Sequence, residues 1–212
     1  MRTKALLLAA ALTAAGIASY AQSNVYSVNV VGYVNVTVPA NQYALIANPL
    51  NATNNTIGSL LQNPAIPAGT VFYKYAGGYS AYVMDEFDLS WTPDAAATLN
   101  PGEGGFVKNN TGTPLTVTFV GEVLQGSLTN AVPSGYAIRS SKVPQAGAIT
   151  TVLGFPGAPG DIAYKYSGGY SAFVYDEFDL SWTPSEPVIN VGEAFFSFKG
   201  ASVDWVRNFT VP

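Results

Sequence analysis

The chain has 212 residues, enough for one or two domains, and only 10% of them are charged, against roughly 25% in an average soluble domain. It contains no His and no Cys, which excludes histidine bases, Ser-His-Asp triads, disulfides and thiolate metal sites. Nine basic against 13 acidic residues give a net charge of −4 and no cationic surface for nucleic acid, while 48% hydrophobic and 13% aromatic content excludes disorder.

Residues 1–21 read as an export signal. Arg2 and Lys4 open the chain, Ala5 to Ala18 is an apolar small-residue run, and Ser19-Tyr20-Ala21 places small residues where a signal peptidase cuts. The run of 14 residues is shorter than the ~20 needed to span a bilayer, and no transmembrane helix is expected further on. Cleavage after Ala21 leaves 7 of the 9 basic residues against 13 acidic ones, a net charge of −6. The expected location is periplasmic, cell-surface or extracellular.

From Val25 to Val38, Val alternates with Ser, Asn, Tyr and Thr, the period-2 pattern of a half-buried strand. Residues 22–30 form its lead-in. A short strand is expected from Tyr43 to Ala47. Ile57, Leu60 and Leu61 then follow helical spacing, with Asn54, Asn55 and Thr56 as candidate N-caps, and Ile149, Val152 and Leu153 repeat that pattern.

Residues 73–93 and 164–184 match at 18 of 21 positions, at an offset of 91. Weaker correspondences extend the match on both sides: Val31-Gly32 with Val120-Gly121, Tyr43-Ala44 with Tyr136-Ala137, Glu103 with Glu193, and Phe119 with Phe209. They set unit one at 31–119 and unit two at 120–212, with one strand running straight from the first unit into the second. The expected fold is all-β: two tandem homologous sandwich- or barrel-like units, each with one short helix, related by a pseudo-twofold axis.

Gly77-Gly78 and Gly168-Gly169 each separate two strand-like runs and suggest two-residue type I′ hairpins. That register puts Tyr73 opposite Tyr82, with Val71, Tyr73, Tyr75, Tyr82 and Met84 on the core face. Ile162, Tyr164, Tyr166, Phe173 and Tyr175 take the same face in the second copy.

The lead-in Ser-Asn-Val-Tyr-Ser-Val-Asn-Val-Val-Gly-Tyr-Val (23–34), the segment Gln42 to Leu50 and the ending Pro101-Gly102-Glu103-Gly104-Gly105-Phe106 together resemble secreted tandem-repeat β-proteins of environmental Gram-negative bacteria. The second copy departs from that ending, with Val191-Gly192-Glu193-Ala194-Phe195. The resemblance implies a secreted β-protein and carries over no catalytic residue.

Within the repeated segment, Asp85, Glu86 and Asp88, with Asp176, Glu177 and Asp179, are the densest carboxylates. They are candidate Ca²⁺ ligands, although such a site needs 6–8 oxygens, and the alternative is solvated charge ending a strand. No other cofactor is expected. Trp91 and Trp182, with Tyr79 and Tyr170, are candidates for stacking on a sugar ring, or else the indoles plug the core. Lys74 and Lys165 read as surface lysines that snorkel or lie over aromatic rings, and the Asn-rich stretches, Asn109-Asn110 among them, as hydrogen-bonding loops.

With no strong nucleophile–base pair, the chain is expected not to be an enzyme. It is expected to be a secreted binding module for a glycan or a cell-envelope polymer. A self-associating structural envelope or matrix protein is the alternative, since low charge and β-rich segments permit edge-to-edge assembly. A glycoside hydrolase working through Asp85, Glu86 or Glu103 stays open, because that chemistry needs two carboxylates and no His.

Overall fold

The computed structural model describes residues 30–62 and 66–211. The expected signal, residues 1–21, and the lead-in up to residue 29 lie outside the described residues. Strands account for 47% of the structure and helix for 2%, so the fold is all-β. Among the described residues no helix is long and apolar enough to cross a membrane.

The first half runs β1 (Val31–Val38), β2 (Tyr43–Ala47), α1 (Ile57–Leu60), β3 (Val71–Tyr75), β4 (Tyr79–Met84), β5 (Trp91–Thr92), β6 (Gly104–Lys108) and β7 (Leu115–Glu122). The second runs β8 (Gly126–Val132), β9 (Gly135–Arg139), β10 (Gly147–Ala148), β11 (Ile162–Tyr166), β12 (Tyr170–Tyr175), β13 (Trp182–Thr183), β14 (Val188–Ile189), β15 (Phe195–Lys199) and β16 (Val203–Phe209). One five-stranded antiparallel sheet has the order β2-β6-β3-β4-β5 and the other β9-β15-β11-β12-β13, the same order of corresponding strands. Each is accompanied by a two-stranded ribbon, β1–β7 or β8–β16.

Each half is a two-layer sandwich. In the first, Val38, Val117 and Phe119 of the ribbon pack with Phe72, Met84, Trp91 and Val107 of the sheet, and Ile57, Leu60 and Leu61 close one side. Thr56 caps the helix by accepting the Ser59 amide on its side chain, as expected. The second half encloses Ile149, Leu153, Phe155, Trp182, Phe195 and Trp205. The helix expected there does not form. The Val152 and Leu153 amides both bond to the Ala148 carbonyl, and the Glu186 carboxylate accepts from the Thr150 and Thr151 amides, holding the segment as a turn.

One expectation about alignment is corrected. Val31-Gly32 and Val120-Gly121 are not equivalent positions of two repeats. They face one another in the β1–β7 ribbon, where Gly32 pairs with Gly121. The ribbon strand β7 runs unbroken across 119/120 to Glu122, and β8 begins at Gly126.

The hairpin register is also one residue away from expectation. Tyr75 pairs with Tyr79, Tyr73 with Ala81 and Phe72 with Tyr82; the second hairpin repeats this, with Tyr166 opposite Tyr170 and Ala163 opposite Phe173. The loop has three residues, with only Gly77 at positive φ (76°) and the Ala76 amide bonded to the Gly78 carbonyl, so it is not a type I′ turn. A one-residue slip exchanges the faces of a strand. Phe72 therefore enters the core, while Tyr73 and Tyr75 point the other way, and Tyr164 and Tyr166 do the same. In the first half the exchange is favourable because the Phe72 ring carries no hydroxyl to leave without a partner in the core.

The two cores solve the same packing problem with swapped residues. Gly105 on β6 lies beneath Phe72 on β3, and a Cβ at Gly105 would sit 2.5 Å from the Phe72 ring. At the corresponding positions the second half has Phe195 on β15 and Ala163 on β11, both fully buried. At this pair of positions each core takes one ring, from opposite strands. A second pair of corresponding positions is polar in both halves. Asn109 and Thr70 occupy it in the first, where Asn109 is no surface loop residue but is buried, donating to Val38, Pro39 and Thr113 carbonyls. In the second half Lys199 and Asp161 form a buried ion pair there, with Lys199 also donating to the Pro156 carbonyl.

The swap makes a prediction. Phe72→Ala should cost about 3–5 kcal/mol, the usual loss for a buried ring. Gly105→Phe should be destabilising alone, yet the two changes together should cost clearly less than their sum in urea unfolding. Additive losses would show that the two positions do not share one volume.

Candidate functional site

The two sheets pack on each other through the faces turned away from their own cores. Leu45, Ala47, Phe106, Ile138, Ala194 and Phe196 form this seam, with Tyr73, Tyr75, Tyr164 and Tyr166 against them. The contact is reciprocal. The Ala47 amide donates to the Gly192 carbonyl, and the Ser140 amide donates to the Gly102 carbonyl. Tyr75 meets Phe196 at 4.8 Å between ring centroids, and Tyr166 meets the corresponding Phe106 at 5.1 Å. Such exchange of partners is what a twofold relation between two halves produces.

Aromatic side chains continue from the seam to the surface on both sides. On one side Tyr43 lies 6.1 Å from Tyr73, which lies 6.5 Å from Tyr79. On the other, Tyr136 lies 6.4 Å from Tyr164, which lies 6.1 Å from Tyr170. Tyr79 and Tyr170 are joined through Phe106, 6.2 Å from each ring. Each set lines a surface recess of about 320 Å³. The walls of the first are Tyr43, Tyr73, Tyr79, Phe106 and, from the other half, Tyr166; those of the second are Tyr136, Tyr164, Tyr170 and Phe196. Volumes of this order suit small ligands, and aromatic walls with a few polar edges are the usual lining. Tyr79 and Tyr170 are 51% and 54% exposed, so their rings are free to meet a ligand.

The tyrosine hydroxyls influence one another. Burial raises the Tyr79 pKa strongly above its ordinary value, and hydrogen bonding with the Tyr170 hydroxyl raises it further. Tyr73 is raised by burial and then by Tyr43, and Tyr164 by burial and then by Tyr136. Tyr73, Tyr79 and Tyr164 therefore stay neutral at physiological pH, with hydroxyls that both donate and accept. Charge is confined to its margins. Lys74 pairs with Glu103 at 3.2 Å and Lys165 with Glu193 at 3.2 Å, so these lysines are ion-paired rather than lying over rings. Lys108 lies 4.7 Å from the Tyr43 ring centroid and donates to the Asn41 carbonyl.

Of the residues expected to bind, Tyr79 and Tyr170 belong to this surface, while the others lie elsewhere. Trp91 and Trp182 are 3% and 5% exposed and belong to the two cores. The Trp91 indole donates to the Leu61 carbonyl and the Trp182 indole to the Thr150 hydroxyl, so neither presents a face for stacking. Asp85 and Asp176 turn their carboxylates onto the loop that follows, accepting from the amides of Phe87 and Asp88, and of Phe178 and Asp179. Asp88 and Asp179 accept from Ser90 and Ser181 in the same way, and these bonds lower the Asp88 pKa. Glu86 and Glu177 are exposed. Among the described residues no group of three or more acidic side chains is placed to hold a metal ion, so the proposed Ca²⁺ ligands do not converge.

The same loops carry features that the residue pattern did not signal. Phe87 and Phe178 are 89% and 88% exposed, and Leu89 and Leu180 both sit at φ 53°, a region costly for a branched side chain. Tyr43, Tyr73, Tyr136 and Tyr164 were likewise missed as site residues. The corrected hairpin register was the only signal for Tyr73 and Tyr164, and Tyr43 and Tyr136 stood in strands with no mark of a site.

Two outcomes test this assignment. The raised tyrosines ionise near pH 10 in the unfolded chain and later in the fold, so their contribution to stability is intact below pH 10 and is lost as pH rises through their folded values. The denaturation midpoint should fall between about pH 9 and about pH 11, and Tyr79→Phe should lessen the fall. Separately, Asp85→Ala should cost about 1 kcal/mol through the lost loop bonds, and Glu86→Ala less than about 0.5 kcal/mol. Added Ca²⁺ should leave the melting temperature of the unaltered protein unchanged; a rise would restore the cation reading.

No protein-family model matches the chain, and comparison with curated proteins and with solved structures gives no match.

Proposed function

We propose that this is an exported, non-catalytic binding module whose ligand is a neutral polysaccharide. The observation that carries the reading is the pair of tyrosine-lined recesses along the seam, whose walls hold no charged side chain. A sugar ring has an apolar C–H face and a rim of hydroxyls. Half-exposed tyrosines offer the complement, a flat ring for the face and a phenol for the rim. Tyrosine also loses little side-chain entropy on binding, which suits a surface that works by weak repeated contacts. The ligand site moves, in this reading, from the Asp-Glu-Phe-Asp-Leu-Ser-Trp-Thr-Pro segment to the hairpin face beside it.

A second reading, self-association, is favoured by a different observation. The β1–β7 ribbon exposes Val31 (70%), Tyr33 (67%) and Val120 (50%) on one surface, and a two-stranded ribbon leaves backbone groups free to pair.

Affinity electrophoresis of residues 22–212 through gels containing xylan, glucomannan or hydroxyethylcellulose tests the first reading, with alginate and chitosan as charged controls. At least one neutral polymer should retard the protein, and Tyr79→Ala with Tyr170→Ala should abolish the retardation while the fold melts normally. Retardation by the charged polymers alone, or none with any neutral one, would remove it. A concentration-dependent dimer in size-exclusion chromatography that Tyr33→Asp abolishes would favour the second reading.

A further inference from the structure

We propose that the two recesses are halves of a single composite site that holds one polysaccharide chain across the seam, a proposal that rests on the neutral-polysaccharide reading above. Three observations carry it. The first recess is not complete within its own half, because Tyr166 of the second half forms part of its wall. The aromatic surface also does not break at the seam. Phe106 touches Tyr79 on its own side and Tyr166 and Tyr170 on the other, so Tyr43, Tyr73, Tyr79, Tyr170, Tyr164 and Tyr136 follow one another as a continuous row. Finally, the halves are held in fixed relation by reciprocal backbone hydrogen bonds, from Ala47 to Gly192 and from Ser140 to Gly102, so no hinge separates them.

The symmetry of the row says how the chain is read. A polysaccharide has a direction, from its non-reducing to its reducing end. A chain running straight along a row with twofold symmetry meets the two halves in opposite senses. Hydrogen bonds tuned to one direction would fit one half and fail in the other. Stacking against a ring is indifferent to direction, and a phenol can donate or accept as the sugar hydroxyl requires. The site therefore selects an extended, uncharged chain by shape and ring faces, and does not select its polarity. Once one half is engaged, the second binds intramolecularly at high effective concentration, so long chains gain far more than short ones.

Isothermal titration with cello-, manno- and xylo-oligosaccharides, graded from dimer to octamer, tests the proposal on residues 22–212. For the series that binds, the longest member should bind with one equivalent per protein, and affinity should climb by at least about tenfold once the oligomer is long enough to leave the first half. Tyr43→Ala and Tyr136→Ala, at opposite ends of the row, should each remove that gain for the longest oligomer. Neither should change the affinity of the dimer by more than half, since the other half remains intact. Two equivalents per protein with affinity independent of length would overturn the composite site and leave the polysaccharide reading standing. Failure of every neutral oligomer and every neutral polymer to bind would overturn both. Circular dichroism and thermal melting of each variant separate lost binding from lost folding, and Tyr43→Phe and Tyr136→Phe, which keep the ring, should retain the length dependence if stacking carries it.

Discussion

Two sheets can face each other only as closely as the smallest residues between them allow. Gly104 sets that distance here. A Cβ on Gly104 would lie 2.6 Å from the Ala194 Cβ, 2.6 Å from the Ile46 carbonyl oxygen and 2.9 Å from Ile138. Gly104 at the start of β6 and Ala194 just before β15, at corresponding positions, let the sheets close, and the closing brings Phe106 against Tyr166 and Phe196 against Tyr75. The reciprocal backbone bonds beside this point then hold the two halves in one orientation. The aromatic row, its shared hydroxyls and the wall that each half lends the other all follow from that approach.

The seam differs from the cores in what it can hold. Each core takes one large ring at a shared position, Phe72 in one half and Phe195 in the other, and excludes hydroxyl-bearing side chains there. The seam is filled by tyrosines whose rings pack and whose hydroxyls reach one another or solvent. Burying a phenol without a partner is costly, whereas a tyrosine at a partly open interface keeps both its packing and its hydrogen bonds. Tyr82 and Tyr175 reach the margins of the cores, but most tyrosines of the hairpins collect along the seam. This separation leaves a neutral, ring-lined surface flanked by two lysine–glutamate pairs.

Much of the architecture was legible in local pattern. The strand from Tyr43 to Ala47, the two Tyr-rich hairpins and the helix capped by Thr56 arise from alternation, turn residues and capping chemistry, which act over a few residues. Register was not legible, because Ala76-Gly77-Gly78 supports a two-residue or a three-residue loop and the choice depends on which ring the core accepts. That the 149–153 segment forms no helix was not legible either, since Glu186, 35 residues beyond Thr151, holds its amides in a turn. The indoles were misplaced for a similar reason. Trp91 and Trp182 follow charged loops and precede prolines, which suggests display, yet each finds an acceptor, Leu61 or Thr150, distant in the chain.

Composition, periodicity and self-similarity by themselves determined that this chain is all-β, that a 21-residue segment occurs twice, and that no histidine or cysteine chemistry is open to it. They act through covalent identity and nearest-neighbour preference, which a single strand already expresses. Only the tertiary structure decided where the tyrosines meet. That depended on a one-residue register and on the closeness of Gly104 to Ala194, and both are settled by packing between segments that are far apart in the chain.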